Sequence, residues 1–273
     1  MTKRAISPTA LLPRDADALT RIGRFRMLTR SQLHRWHFPT VSDTVVRRFV
    51  DRMTERGYLG AERLNGNGMQ VLWLTSKGAD FLPDKTGIDR DDLFPARGPV
   101  PPKDFAHTAA IIDAAIAVKQ RGLAPDVLLP AWALQRVFAG RIDSVPDLLC
   151  LTLSSATRAG VVLAVEVDLG NEPIRSMIVP KARRVVLDVL APYRGSTVAL
   201  LLLTRGKRRR DAITAAVAGI STSVPIVTEL HEHFCAVPSG TTNVWSRCSV
   251  DRTSEGVEVV DGTAVLPRIE GAD

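Results

Sequence analysis

The chain has 273 residues, 45% of them apolar, and only three scattered cysteines, Cys150, Cys235 and Cys248. It can bury cores for roughly two domains but has too few thiols for a disulfide framework. No apolar run reaches membrane-spanning length or follows a basic start like that of a signal peptide, so the expectation is a cytoplasmic protein with no membrane partner. The formal charge of +7 is uneven, because residues 1–82 hold 14 Lys+Arg against 7 Asp+Glu while residues 83–273 hold 22 against 22.

A small basic region beside a larger neutral one suits a polyanion-binding module, with a merely solvated basic face as the plainer alternative. Leu19, Ile22 and Phe25 repeat at helical spacing and predict a first helix from about Asp15 to Met27. Thr29 and Gln32 have the spacing of a capping box, which opens a second helix carrying Leu33 and Trp36 and closed by Pro39. Ser42 is the expected cap of a third helix with an inward stripe of Val45, Phe49 and Met53, ended by Gly57. Its opposite stripe, Thr44, Arg47, Arg48 and Asp51, presents a hydroxyl and two guanidiniums, groups able to bond phosphates or a guanine edge. Two short strands then flank Asn65-Gly66-Asn67-Gly68, a hairpin signal, with Arg63 and Gln70 beside the tip, within reach of a DNA backbone or minor groove. Three helices followed by a hairpin predict a winged helix-turn-helix over 1–82 that binds double-stranded DNA. Some such folds serve instead as protein-docking modules.

Residues 83–104 contain five prolines and no period, and read as a semi-rigid linker. Beyond it an Ala-rich helix, Phe105 to Gln120, precedes apolar strand-like runs at Val127–Leu129, Asp147–Leu153 and Val161–Asp168. Pro173 opens a further helix through Lys181 to Leu190; the bounded apolar run Thr197 to Thr204 reads as a buried strand, and a last helix follows from Arg208 to Ala218. Glu166 and Asp168, two apart on one strand, point the same way, and Asp147 on the neighbouring strand can join them. Clustered carboxylates of this kind suit Mg²⁺ or Mn²⁺ and phosphodiester chemistry, while an acidic strand end capped by solvent or Arg is the bland alternative.

The order α-β-β-β-α-β, with Pro146-Asp147 on one strand and Glu166-Val167-Asp168 on the next, resembles the core of PD-(D/E)xK nucleases. The usual Lys two positions after the Glu is here Asp168; in some branches of that superfamily the Lys comes from the following helix, where this chain has Lys181. The whole pattern, from Leu28-Thr29-Arg30-Ser31-Gln32-Leu33 through Gly57-Tyr58-Leu59, Leu74-Thr75, His107, Asp113 and Pro146-Asp147 to Glu166-Val167-Asp168-Leu169-Gly170-Asn171-Glu172, Lys181 and Tyr193, resembles the replication-relaxation family of plasmids and integrative elements. The resemblance covers roughly residues 15–195 and implies a DNA-handling role more firmly than it implies catalysis.

The expected fold class is therefore mixed α/β: a winged helix-turn-helix over 1–82, a linker over 83–104, a nuclease-like domain over 105–237 and a tail or hairpin over 238–273. In an active site Asp147, Glu166 and Asp168 would hold the metal and Lys181 would position water or stabilise the phosphate, with His107 or Asp113 completing the shell. That chemistry requires the three carboxylates within metal-bridging reach and the Lys181 amine directed toward them. The rival is a non-enzymatic regulator whose second domain forms a homodimer or docks a relaxase or replication protein. Lys207-Arg208-Arg209-Arg210 reads as a solvated helix start able to touch phosphates, and His231, His233 and Cys235 alternate as zinc ligands would on a strand.

Overall fold

The computed structural model describes residues 11–64, 68–99, 102–123, 125–138, 141–142, 144–152, 160–193 and 196–236. It is a mixed α/β protein with two sheets, and the chain divides into two units, 1–112 and 113–273.

The first unit opens with helix α1 (Pro13–Arg24), strand β1 (Leu28–Thr29) and helix α2 (Arg30–His37). The capping box is formed in full: the Gln32 amide N–H donates to Thr29 Oγ1 at 3.1 Å, and the Thr29 N–H donates to Gln32 Oε1 at 2.9 Å. Helix α3 (Asp43–Glu55) buries Val46, Phe49, Val50 and Met53. Its apolar stripe is thus turned slightly from the expected one, leaving Val45 half-buried, and the Ser42 hydroxyl makes no capping bond. At the far end Gly57 takes φ +71, so that its N–H reaches Thr54 O and the Tyr58 N–H reaches Met53 O, the paired bonds of a Schellman turn. Strands β2 (Leu59–Arg63) and β3 (Gln70–Leu74) pair antiparallel, and β1 pairs the other edge of β3. The hairpin tip, 65–67, lies outside the described residues. Phe25 packs edge-on to Trp36 at 5.0 Å and Phe38 meets Phe49 at 5.3 Å, joining α1, α2 and α3 through buried rings. After β3, helix α4 (Ser76–Phe81) is capped by the Thr75 hydroxyl. It lies so near β2 that a Cβ on Gly78 would sit 2.4 Å from the Tyr58 carbonyl.

The proline-rich stretch departs from a free linker. Residues Pro83–Thr86 form helix α5, Leu93 is fully buried, the Phe94 N–H donates to Gly23 O at 3.0 Å, and the Ala96 N–H donates to Leu74 O at 2.9 Å. The apolar pair Leu93-Phe94 gives this segment surface to bury, so up to residue 96 it belongs to the first unit. Helix α6 (Pro102–Val118) runs across the boundary between the units.

The second unit is built on a five-stranded sheet: β4 (Val127–Pro130), β5 (Leu148–Thr152), β6 (Val161–Asp168), β7 (Thr197–Thr204) and β8 (Ile226–Leu230), in that spatial order. The β4–β5 and β5–β6 pairs are antiparallel and the β6–β7 and β7–β8 pairs parallel. Helix α7 (Ala131–Phe138), between β4 and β5, was not legible in the sequence because its eight residues give barely two turns of period. The segment joining β6 to β7 is helical from Ile174 to Leu190: π-turns Ile174–Ile178 and Val185–Leu190 flank helix α8 (Val179–Arg184). Helix α9 (Lys207–Val217) follows β7. Leu149, Leu151, Val162, Ala164, Leu200 and Leu202 face a helical layer contributed by Ala182, Val185, Val189, Ile213 and Val217. Period two along the strands then puts Asp147, Glu166 and Asp168 on that helix-covered face.

Helix α10 (His231–Cys235) corrects one expectation: the His231, His233 and Cys235 set lies on a helix, not a strand. Helical spacing brings His231 Nε2 to 3.6 Å from Cys235 Sγ and turns the exposed His233 away. No group of three or more His, Cys, Asp or Glu able to hold a metal exists among the described residues. Cys248 and the tail from 238 lie outside them.

Candidate functional site

On α3, Thr44, Arg47, Arg48 and Asp51 are all exposed, and neither Arg47 nor Arg48 has an ion-pair partner among the described residues. The contrast within the helix is informative. Arg52, one turn on, is held by Asp15 at 2.5 Å and lies over the Phe49 ring, while Asp15 itself is buried. Structural arginines in this unit are therefore paired, and the two on the outward face are left to solvent. At the hairpin Arg63 is exposed and stands opposite Gln70, which is half-buried.

In the second unit, Leu148 pairs with Val165, so the register carried one step further sets Asp147 directly opposite Glu166. Asp147 Oδ2 accepts from the Val167 N–H at 2.8 Å. From α8, the Lys181 ammonium reaches both acids, lying 2.5 Å from Glu166 Oε2 and 3.5 Å from Asp147 Oδ1. Burial, then the neighbouring Asp147, push the Glu166 carboxyl well above the usual carboxylate range, against the pull of Lys181. Burial disfavours the Lys181 charge, yet Glu166 and Asp147 outweigh it and raise the amine above its ordinary value. Glu166 Oε1 is buried and finds no hydrogen-bond partner among the described residues.

Asp168 does not join this group, which corrects the expected three-carboxylate cluster. Strand β6 runs past the start of β5, so Asp168 has no cross-strand neighbour on that side; its partner in register is Thr204 of β7. The Thr204 hydroxyl donates to Asp168 Oδ2 at 2.7 Å, the Gly170 N–H donates to Oδ1 at 2.9 Å, and the Arg209 guanidinium from α9 grips both oxygens. Burial works against this carboxylate, but the bonds from Arg209 and Thr204 prevail and hold its pKa below the ordinary value. The second Arg209 nitrogen that reaches Asp168 also donates to the Glu172 carbonyl. Arg209 and Thr204 escaped sequence reasoning, although the run Lys207-Arg208-Arg209-Arg210 was the signal; only the turn of α9 distinguishes Arg209 from the other cations of the run.

Two cavities adjoin the acids. One of about 20 Å³, room for a single water, is lined by Glu166, Asp168, Glu172, Lys181 and Ile213 among others. The other, about 430 Å³ and open, is lined by Gln135, Phe138, Ser144, Asp147 and Lys181 among others. Asp113 lines neither, and both it and His107 are half-buried on α6. No helix of the described residues is long and apolar enough to cross a membrane.

A family model described as Replication-relaxation matches residues 19–184, spanning α1 to the end of α8 and so including the α3 face, Asp147, Glu166 and Lys181. No curated protein and no solved structure matches the chain.

Proposed function

The chain belongs to the replication-relaxation family, and from that premise we propose that it is a DNA-binding protein of plasmid or mobile-element replication or relaxation, with a metal-dependent phosphodiester-cleaving site in its second unit. The first unit would act as a winged helix, laying α3 in the major groove with Thr44, Arg47 and Arg48 toward bases and phosphates, and Arg63 and Gln70 of the hairpin against the backbone. What supports this half is the selective exposure of Arg47 and Arg48 on a helix whose other arginine, Arg52, is paired.

The cleavage half is carried by one observation: Asp147, Glu166 and Lys181 converge although they come from two strands and a helix. The donor set fits a hard divalent cation, because Mg²⁺ or Mn²⁺ is held by one or two carboxylates plus water and phosphate, and the orphaned Glu166 Oε1 supplies an oxygen that lacks a partner. Asp147 and Glu166 would hold the ion, which when bound polarises the scissile phosphate and its attacking water. Lys181 would set the position of the phosphate or water and offset charge developing on the phosphate oxygens. The expected third carboxylate is missing from this set, because Asp168 is gripped by Arg209; the ion would be held by two carboxylates, a number that suits Mg²⁺, and Asp168 would contribute through the shape of the strand end.

A second reading has its own observation. Lys181 and Arg209 already neutralise the acids internally, as a site retained for folding in a non-enzymatic regulator would. The test is full-length protein incubated with supercoiled plasmid and Mg²⁺ or Mn²⁺, with duplex binding measured in parallel. Nicking that EDTA suppresses is the expected result; tight binding without nicking would leave the regulator reading standing and sink the nuclease one.

A further inference from the structure

Residues 113–273 carry 18 Lys+Arg and 17 Asp+Glu, a balance that gives no hint of a polyanion surface. The fold undoes that balance. Two stretches, 169–184 and 205–211, hold nine Lys+Arg and two Asp+Glu between them. The first runs from the end of β6 through α8, and the second from the end of β7 into α9. Because β6 and β7 are parallel, both stretches start from the same edge of the sheet, the edge that carries Glu166, Asp168 and Thr204. The first stretch also walls the small cavity at the carboxylates, through Glu172, Ile178, Lys181 and Ala182, and α9, which the second stretch opens, walls it through Ile213.

Within these stretches the charges fall into two classes. Lys181 and Arg209 are turned inward onto Glu166 and Asp168, and Arg210 pairs with its neighbour Asp211. Arg175, Arg183, Arg184, Arg205, Lys207 and Arg208 are exposed and have no ion-pair partner among the described residues. The two acids of the stretches do little to offset them, since Asp211 is occupied by Arg210 and Glu172 is a single exposed carboxylate. Unpaired cations gathered along one edge attract a linear polyanion, because each phosphate they neutralise releases condensed counterions.

We propose that this edge, Arg175, Arg205, Lys207 and Arg208, is a second phosphate-contacting surface, by which the second unit grips the DNA backbone alongside Asp147, Glu166 and Lys181. It rests on the reading of duplex DNA as the ligand, but not on α3 as the reader or on cleavage. The contacts are with phosphates and carry no sequence preference, so they add affinity and orient the strand without choosing the site.

The test is binding of full-length protein to a labelled 30-bp duplex of arbitrary sequence between 50 and 300 mM KCl. Four proteins are compared: the unaltered chain, Arg175→Ala/Arg205→Ala/Lys207→Ala/Arg208→Ala, its arginine-to-lysine counterpart, and Arg47→Ala/Arg48→Ala. Four lost phosphate contacts lower the slope of log K against log salt by about 3–4, at roughly 0.9 per contact, and weaken binding more than tenfold at low salt. The arginine-to-lysine counterpart of the edge variant, Arg175→Lys/Arg205→Lys/Arg208→Lys, restores most of the slope, which a merely structural role would not produce. An edge variant with an unchanged slope overturns this surface, whatever the α3 variant does. If the α3 variant alone binds normally, Arg47 and Arg48 are not phosphate contacts while the edge stands.

Discussion

The two units treat charge in opposite ways. On α3 of the first unit, Arg47 and Arg48 are exposed and unpaired, so their charge is available to a partner and little of the fold depends on it. At the sheet edge of the second unit, Asp147, Glu166 and Asp168 are buried and two cations, Lys181 and Arg209, are drawn in to meet them. Exposed charge binds with little structural consequence; buried charge is held at a desolvation cost and is chemically altered by it, as the raised Glu166 pKa records. Function and stability should therefore separate cleanly under mutation in the first unit and be entangled in the second.

The largest expected effect is on chemistry. Glu166→Gln should abolish metal-dependent nicking of supercoiled plasmid while leaving duplex affinity within about twofold, since binding is assigned elsewhere. Nicking that survives the substitution would mean another site.

Next is stability. Lys181→Met leaves two adjacent buried carboxylates without their cation and should cost about 3–5 kcal/mol at pH 8 by urea unfolding. The loss should shrink on acidification. A carboxyl whose pKa is raised on folding binds its proton more tightly when folded, so stability rises as pH falls through that raised value, and Glu166 without Lys181 is raised further. A penalty constant from pH 8 to pH 5 would break the picture of an ion-paired Glu166.

Arg47→Ala and Arg48→Ala should each weaken binding to the cognate duplex by about 1–3 kcal/mol where the guanidinium reads a guanine. Neither should move the unfolding midpoint measurably, because both side chains are exposed. A clear drop in stability would erase the contrast between the units.

The smallest effect is that of Arg209→Gln, about 1 kcal/mol at pH 7, because Asp168 keeps the Thr204 hydroxyl and the Gly170 N–H as donors when the guanidinium is lost. Asp168 has a pKa lowered on folding, so its contribution is present above the unfolded value of about 3.9 and disappears as pH falls through the lower folded one. The Arg209 penalty should thus persist at pH 5, where that of Lys181→Met has begun to fade.

Local signals in the chain were enough for much of this. Thr29 with Gln32 announced a helix start, Gly57 a helix end, and the apolar run 197–204 a buried strand, because caps, positive φ and continuous apolarity act over a few residues. The alternation of Glu166 and Asp168 put both on one face, also a local property. Their separate fates depended on register: β5 begins opposite Val165, so it brings Asp147 to Glu166 and ends short of Asp168, which turns to Thr204 and Arg209 instead. The same holds for the neutral charge count of residues 113–273, which tertiary packing sorts into an inward-paired set and an exposed cationic edge. Which strand ends first, and which arginine of a run faces inward, are relations between residues twenty to forty apart, and only burial in a shared core sets them.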